Sequence, residues 1–206
     1  RDRDLPVDEF IFPLGYGLTV DESRPWVALS EVMIGADNSL DQEVFNGGPR
    51  GSWRLFSGDA SDWEVEATSS SSQSSTGSVT IEAIDRLVQE DARRVTFVGN
   101  GAGVSQVYMQ SEYPTDLTAL NDAGGALSIE FRVQRMPTSV VELRMDCKYP
   151  CSGAVRFTKV LLDSPLGEWT KRAVPVACFQ EAGLNLAQVN TAFVLATEGD
   201  ITLDIS

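Results

Sequence analysis

The sequence predicts an all-β protein, an antiparallel two-sheet β-sandwich of jelly-roll type with one or two short helices. Three observations carry this. Ten segments mix apolar and polar residues with β-branched or aromatic enrichment; turn-forming residues separate them; and most connections are too short for the helical crossovers that parallel sheets need.

In order, the predicted strands are residues 27–33 (VALSEVM), 52–57 (SWRLFS), 78–84 (SVTIEAI), 95–99 (VTFVG) and 126–135 (ALSIEFRVQR). They continue with 139–145 (SVVELRM), 154–158 (AVRFT), 169–177 (WTKRAVPVA), 191–197 (TAFVLAT) and 201–206 (ITLDIS). Helix signals are local. TDLTALNDAGG (115–125) has a capping residue ahead and two glycines behind, and FQEAGLNLAQV (179–189) carries Gly183 as a stop. The run TSSSSQSSTGS (68–78) has no apolar area to bury and reads as an exposed, mobile loop.

A chain of 206 residues suits one good-sized core plus a tail. With 16 basic against 30 acidic residues the formal net charge is −14, which repels phosphate backbones and anionic lipid headgroups, so neither nucleic acid nor a membrane surface is an expected partner. No apolar run approaches the ~20 residues of a membrane span. Histidine is absent, which removes imidazole acid/base chemistry, histidine-ligated zinc and histidine-activated nucleophiles. The three cysteines, Cys147, Cys151 and Cys178, are too few for an all-cysteine zinc site.

The opening segment FPLGYGLTV (12–20) closely resembles the sequence that closes the α/β second domain of family 3 glycoside hydrolases. Further on, QEDARRVTFVGNG (89–101), YPTDLT (113–118), ALSIEFRV (126–133), CKYPCSG (147–153) and GEWTKRAVPVACFQEAG (167–183) follow one another in a familiar order. Together they resemble the galactose-binding-like C-terminal domain of bacterial exo-1,3/1,4-β-glucanases, also called 1,4-β-D-glucan glucohydrolases. The resemblance departs near Phe97, where a tryptophan is expected. It implies that residues 1–20 end the catalytic region, 21–25 form a linker, and 26–206 form a galactose-binding-like sandwich. The parent enzyme, periplasmic or extracellular in a bacterium, removes glucose from β-glucan ends, with both catalytic carboxylates upstream of Arg1. The chain itself is then a non-catalytic accessory domain that supports or shapes the active-site rim. The alternative is a carbohydrate-binding module that retains β-glucan; an independent glycosidase comes third. The implied partners are the parent's catalytic domains in cis and β-glucan.

Four residues form the candidate saccharide contact. Trp53 and Trp63 lie beside turns, and an aromatic plane packs on the apolar face of a sugar ring while Arg54 and Asp62 bond its hydroxyls. Tyr108 and Tyr113 are weaker candidates. Trp169 opens an alternating strand and is expected in the core, and Trp26 is suited to pinning the linker. The triplet SDW (61–63) imitates the setting of a family 3 nucleophile, but it follows the segment that closes the catalytic region, so Asp62 is read as a turn carboxylate and no catalytic residue is assigned. GNGAG (99–103) lacks dinucleotide or phosphate-loop spacing and reads as a connection. No cofactor is required. A structural calcium ion is the runner-up ligand, near the acidic residues of 37–41 or near Glu90 and Asp91, with no metal ligand assigned. The oxidising compartment implied by the resemblance, with a tight KYP turn, predicts a disulfide between Cys147 and Cys151 that leaves Cys178 as a buried thiol.

Overall fold

Alternation gives a strand one face to bury, and residues 126–135 follow the rule in full: Leu127, Ile129, Phe131 and Val133 are buried while the residues between them reach solvent in part. A computed structural model describes residues 42–101 and 103–206, together with the backbone of 32–35. The segments 12–20 and 21–25, Trp26 and the acidic residues of 37–41 lie outside the described residues.

The strands are β1 (Val32–Gly35), β2 (Gln42–Phe45), β3 (Trp53–Asp59), β4 (Asp62–Glu66), β5 (Ser71–Gln73), β6 (Val79–Ile84) and β7 (Ala92–Phe97). They continue through β8 (Ser105–Thr115), β9 (Ala126–Arg135), β10 (Val141–Cys147), β11 (Ser152–Arg156), β12 (Trp169–Pro175), β13 (Val189–Thr197) and β14 (Ile201–Ile205). Helices α1 (Thr118–Asp122), α2 (Thr158–Leu162) and α3 (Val176–Glu181) are one to two turns each. The strands pair antiparallel in two sheets. One runs β2-β1-β9-β14-β7-β6-β5 with β12 also on β9, and the other runs β11-β10-β13-β8-β3-β4.

The inward faces make one core that includes Phe45, Phe97, Phe131, Phe157, Phe179 and Phe193, with Phe131 and Phe157 edge to face at 5.6 Å. Burying each such side chain stabilises the fold by about 1.5–3 kcal/mol, which makes this core the main force holding the sheets together.

Several elements depart from the sequence expectation. Strand β8, the long centre of the six-stranded sheet, was not expected, because serine stands at both ends of its inward face (Ser105, Val107, Met109, Ser111) and weakens the apolar alternation. Strands β2, β4 and β5 and helix α2 were also not expected. The strand expected over 169–177 stops at Pro175, and Val176 begins α3. The serine-rich run is no free loop: β5 pairs with β6, and Ser74 and Ser78 are buried.

Candidate functional site

The outward residues of the six-stranded sheet form cross-strand rows. Phe56, Tyr108, Val194, Arg144 and Ala154 stand opposite one another along one row, and Gly58, Gln106, Ala196, Glu142 and Arg156 along the next. Phe56 stacks on Tyr108 with ring centroids 5.1 Å apart, and Tyr108, Val194 and Ala196 are nearly covered, so this face carries a small apolar island of its own. Around it are Arg144, which donates to Asp146 (2.8 Å) and to Gln106 (3.0 Å), and the half-buried Gln110.

The edge strand β4 rises over this island. A side chain at Gly58 would meet the Trp63 carbonyl oxygen at 2.6 Å and its Cα at 2.9 Å, so only glycine lets the chain cross there. The Tyr108 hydroxyl then donates to the Trp63 carbonyl at 2.7 Å. Burial, with Glu64 and Asp62 nearby, pushes the Tyr108 phenol well above its usual range, so it is a permanent donor.

The four predicted contact residues separate here. Trp63 is 45% exposed on β4 with Asp62 beside it, and Arg54 on β3 reaches Glu66 of the same hairpin at 3.5 Å. Trp53 does not join them. It alternates with Leu55 toward the interior and is only 8% exposed, so its ring is core and offers no platform. Tyr113 is exposed, while Tyr108 is a buried strut beneath Trp63. Sequence reasoning passed over Phe56, Gln106, Gln110, Arg144 and Asp146. The signal was available in SQVYMQ, where Gln106, Tyr108 and Gln110 alternate with Val107 and Met109.

Asp62 keeps to its turn: its N–H donates to Asp59 Oδ1 (3.3 Å) and its Oδ1 accepts from the Glu64 N–H (3.0 Å). The buried carboxylate of this hairpin is Asp59, which accepts from the N–H groups of Ser61 and Thr76 and from the hydroxyls of Thr76 and Ser78. Burial raises its pKa, but these bonds together outweigh burial and hold it well below the carboxylate range. Asp59 thus ties β4 to the β5–β6 hairpin as a permanent anion. Asp146 goes the other way, because burial raises it and Arg144 alone does not compensate.

The eight-stranded sheet is finished differently. Glu82, Arg94, Asp204, Arg132 and Trp169 lie opposite one another across its outer face. Asp204, fully buried, accepts from Arg94 (2.7 and 3.1 Å), Arg132 (2.9 and 2.6 Å) and Gln134 (2.7 Å). Trp169 is therefore not a core residue as expected: it shares this outer face, with the guanidinium groups of Arg86 and Arg132 at 4.5 and 5.0 Å from its ring.

Among the described residues no group of three or more carboxylates and cysteines is placed to hold a metal ion. Asp91, one of the residues considered for calcium, accepts from the N–H groups of Arg86, Leu87 and Val88, so its oxygens already serve the loop. Cys147 and Cys151 are bridged with Cα atoms 5.1 Å apart, and Cys178 is a buried free thiol. No helix among the described residues is long and apolar enough to cross a membrane.

Comparison with known proteins agrees with this architecture. The extra C-terminal domain of an exo-1,3/1,4-β-glucanase from a Pseudoalteromonas species superimposes with a TM-score of 0.62 at 19% identity, covering 79% of this chain and 87% of that domain. In the structure of the exo-1,3/1,4-β-glucanase itself the TM-score is 0.64 at 18% identity; 79% of this chain is covered, and it spans only 19% of the enzyme. A family 30 carbohydrate-binding module of a cellulosomal cellulase from Clostridium thermocellum matches with a TM-score of 0.51 at 10% identity, over 74% of this chain and 87% of that one. No curated protein matches the sequence. The model of the Exop_C family, described as galactose-binding domain-like, matches residues 52–206, and the chain belongs to that family.

Proposed function

We propose that this is a non-catalytic accessory domain of a larger, exported bacterial β-glucan exo-hydrolase, and that it contacts glucan at the β4 edge of its six-stranded sheet. One observation carries the contact. Of the tryptophans at positions 53, 63 and 169, Trp53 is core and Trp169 lies against two arginines, while Trp63 turns 45% of its surface to solvent from a backbone fixed by Tyr108. The exposed carboxylates of Asp62, Glu64 and Glu66 beside it accept hydroxyl hydrogens and suit a neutral sugar chain. The resemblance to a β-glucanase domain supports β-glucan as the substrate class and the parent's catalytic domains as partners in cis.

Retention of the protein in a gel containing soluble mixed-linkage β-glucan tests this. Wild type is retarded, and Trp63→Ala weakens retention by roughly 1–3 kcal/mol while the fold is kept. A second role, as a strut or rim of the parent's active site, is favoured by the near-complete cover over Tyr108, Val194 and Ala196. It predicts that deleting the domain from the parent lowers turnover of small aryl glucosides and polymer alike, with no retention of the isolated domain. A retention module lowers polymer turnover more.

A further inference from the structure

Trp63 stands at one corner of the six-stranded outer face. The diagonally opposite corner is the tip between β10 and β11, where the chain turns through Lys148, Tyr149 and Pro150. Tyr149 is 94% exposed there. The turn is nonetheless braced: the Cys147–Cys151 bridge closes it, the Cys147 N–H donates to the Cys151 carbonyl (3.1 Å) and the Cys151 N–H to the Lys148 carbonyl (3.2 Å). Cys147 is buried, and the Asn185 N–H donates to Cys151 Sγ at 3.4 Å, so the base of the tip is anchored in the domain. A large ring on a braced mount loses little freedom when something packs on it, which is the economy of a preorganised contact.

Between the corners a line of connected polar groups skirts the apolar island. Asp146 lies opposite Ser152 just below the tip, Arg144 bridges Asp146 to Gln106, and Gln106 lies opposite Gly58, the residue that Trp63 crosses. With strands ~4.8 Å apart and ~3.4 Å per residue along them, the diagonal is about 30 Å, a distance that an oligosaccharide of several units covers and a monosaccharide does not.

We infer that Trp63 and Tyr149 are the two ends of one track for a β-linked glucan chain, which crosses Gln106, Arg144 and Asp146 between them. This rests on the glucan contact proposed for Trp63. A chain that reaches both ends gains the second contact intramolecularly, so affinity climbs with chain length until the track is spanned.

The test is calorimetric titration of the 206-residue chain with mixed-linkage β-glucan oligosaccharides of increasing length, for wild type, Tyr149→Ala, Tyr149→Phe and Trp63→Ala, with circular dichroism confirming each fold. Expected is a length-dependent rise for wild type. Tyr149→Ala removes about tenfold in affinity for the long oligosaccharides and leaves the short ones unchanged, and Tyr149→Phe keeps the rise. If Tyr149→Ala binds long oligosaccharides like wild type while Trp63→Ala loses them, the track is overturned and the Trp63 contact stands. An equal loss at every length also overturns it. Absence of binding by wild type at any length overturns both.

Discussion

On the eight-stranded sheet the outward row alternates Glu82, Arg94, Asp204 and Arg132 before it ends on Trp169, and both arginines close on the carboxylate of Asp204 between them. On the six-stranded sheet the corresponding row is apolar at Phe56, Tyr108 and Val194 and carries its polar groups at the margin. One buried or half-buried carboxylate on each face shows the consequence. Burial raises both, but at Asp204 the bonds from Arg94, Gln134 and Arg132 prevail and the pKa falls, whereas at Asp146 the single arginine does not and the pKa rises. A face whose charges are mutually satisfied has little left for a ligand. The other keeps hydrogen-bonding capacity next to exposed aromatics, and function is expected there.

The largest effect belongs to the satisfied face. Asp204→Ala leaves Arg94 and Arg132 without their shared carboxylate; both reach water in part, so the cost falls at the low end for a broken buried pair, about 3 kcal/mol. Urea unfolding measures it, and a loss under about 1 kcal/mol means that the ladder is not what holds this face. The pH dependence follows from the same shifts. Asp59, Asp91 and Asp204 have folded pKa values below their unfolded ones, so on acidification the unfolded chain takes up protons first. Stability is complete above the unfolded carboxylate pKa and falls as pH drops below about 5 toward the folded values. Asp146 opposes this, since its raised pKa adds stability as it protonates. Asp204→Ala should therefore flatten the acid limb of the stability curve.

A smaller effect is confined to the other sheet. Replacing Cys147 and Cys151 by serine opens a short loop and should cost about 1–2 kcal/mol, less than bridges that close long loops. The loss should loosen the β10–β11 tip and leave the Asp204 ladder untouched. Cys178 serves as the internal control, because burial and the nearby Glu181 push its thiol up to about 11 and keep it unreactive in the folded protein. Alkylation of unfolded, unreduced protein should label one cysteine; three labels rule out the bridge.

Legibility in the sequence followed the range of the interactions. Strand β9 could be read to the residue because Leu127, Ile129, Phe131 and Val133 alternate without interruption, while β8 was lost to the serines of its inward face. Trp63 was recognised as a turn-side aromatic. Trp53 was grouped with it although its alternation with Leu55 already pointed it inward. Trp169 was read on the right strand but the wrong face: along β12 the inward residues are Thr170, Arg172 and Val174, a pattern too polar to give the direction. The burial of Asp59 was not foreseen, because its donors Thr76 and Ser78 come from a hairpin remote in sequence, and no local pattern encodes such a bond.

The smallest change bears most directly on the comparison. Tyr108→Phe removes one hydroxyl from the six-stranded face, keeps the stack on Phe56, and leaves the Trp63 carbonyl without its donor. A neutral hydrogen bond of this kind contributes about 0.5–1.5 kcal/mol, and because the carbonyl sits on the edge strand β4, water can take up part of the loss. The fold should therefore lose no more than about 1 kcal/mol. Glucan retention should fall further than that stability change alone allows, since the hydroxyl positions Trp63 without touching the sugar. The discriminating comparison is Tyr108→Phe against Asp204→Ala at a temperature where both remain folded. If Tyr108 positions the platform, the mildly destabilised variant loses retention and the strongly destabilised one keeps it. If retention instead follows stability in both, Tyr108 acts only in packing, and the two outer faces differ less in purpose than their chemistry suggests.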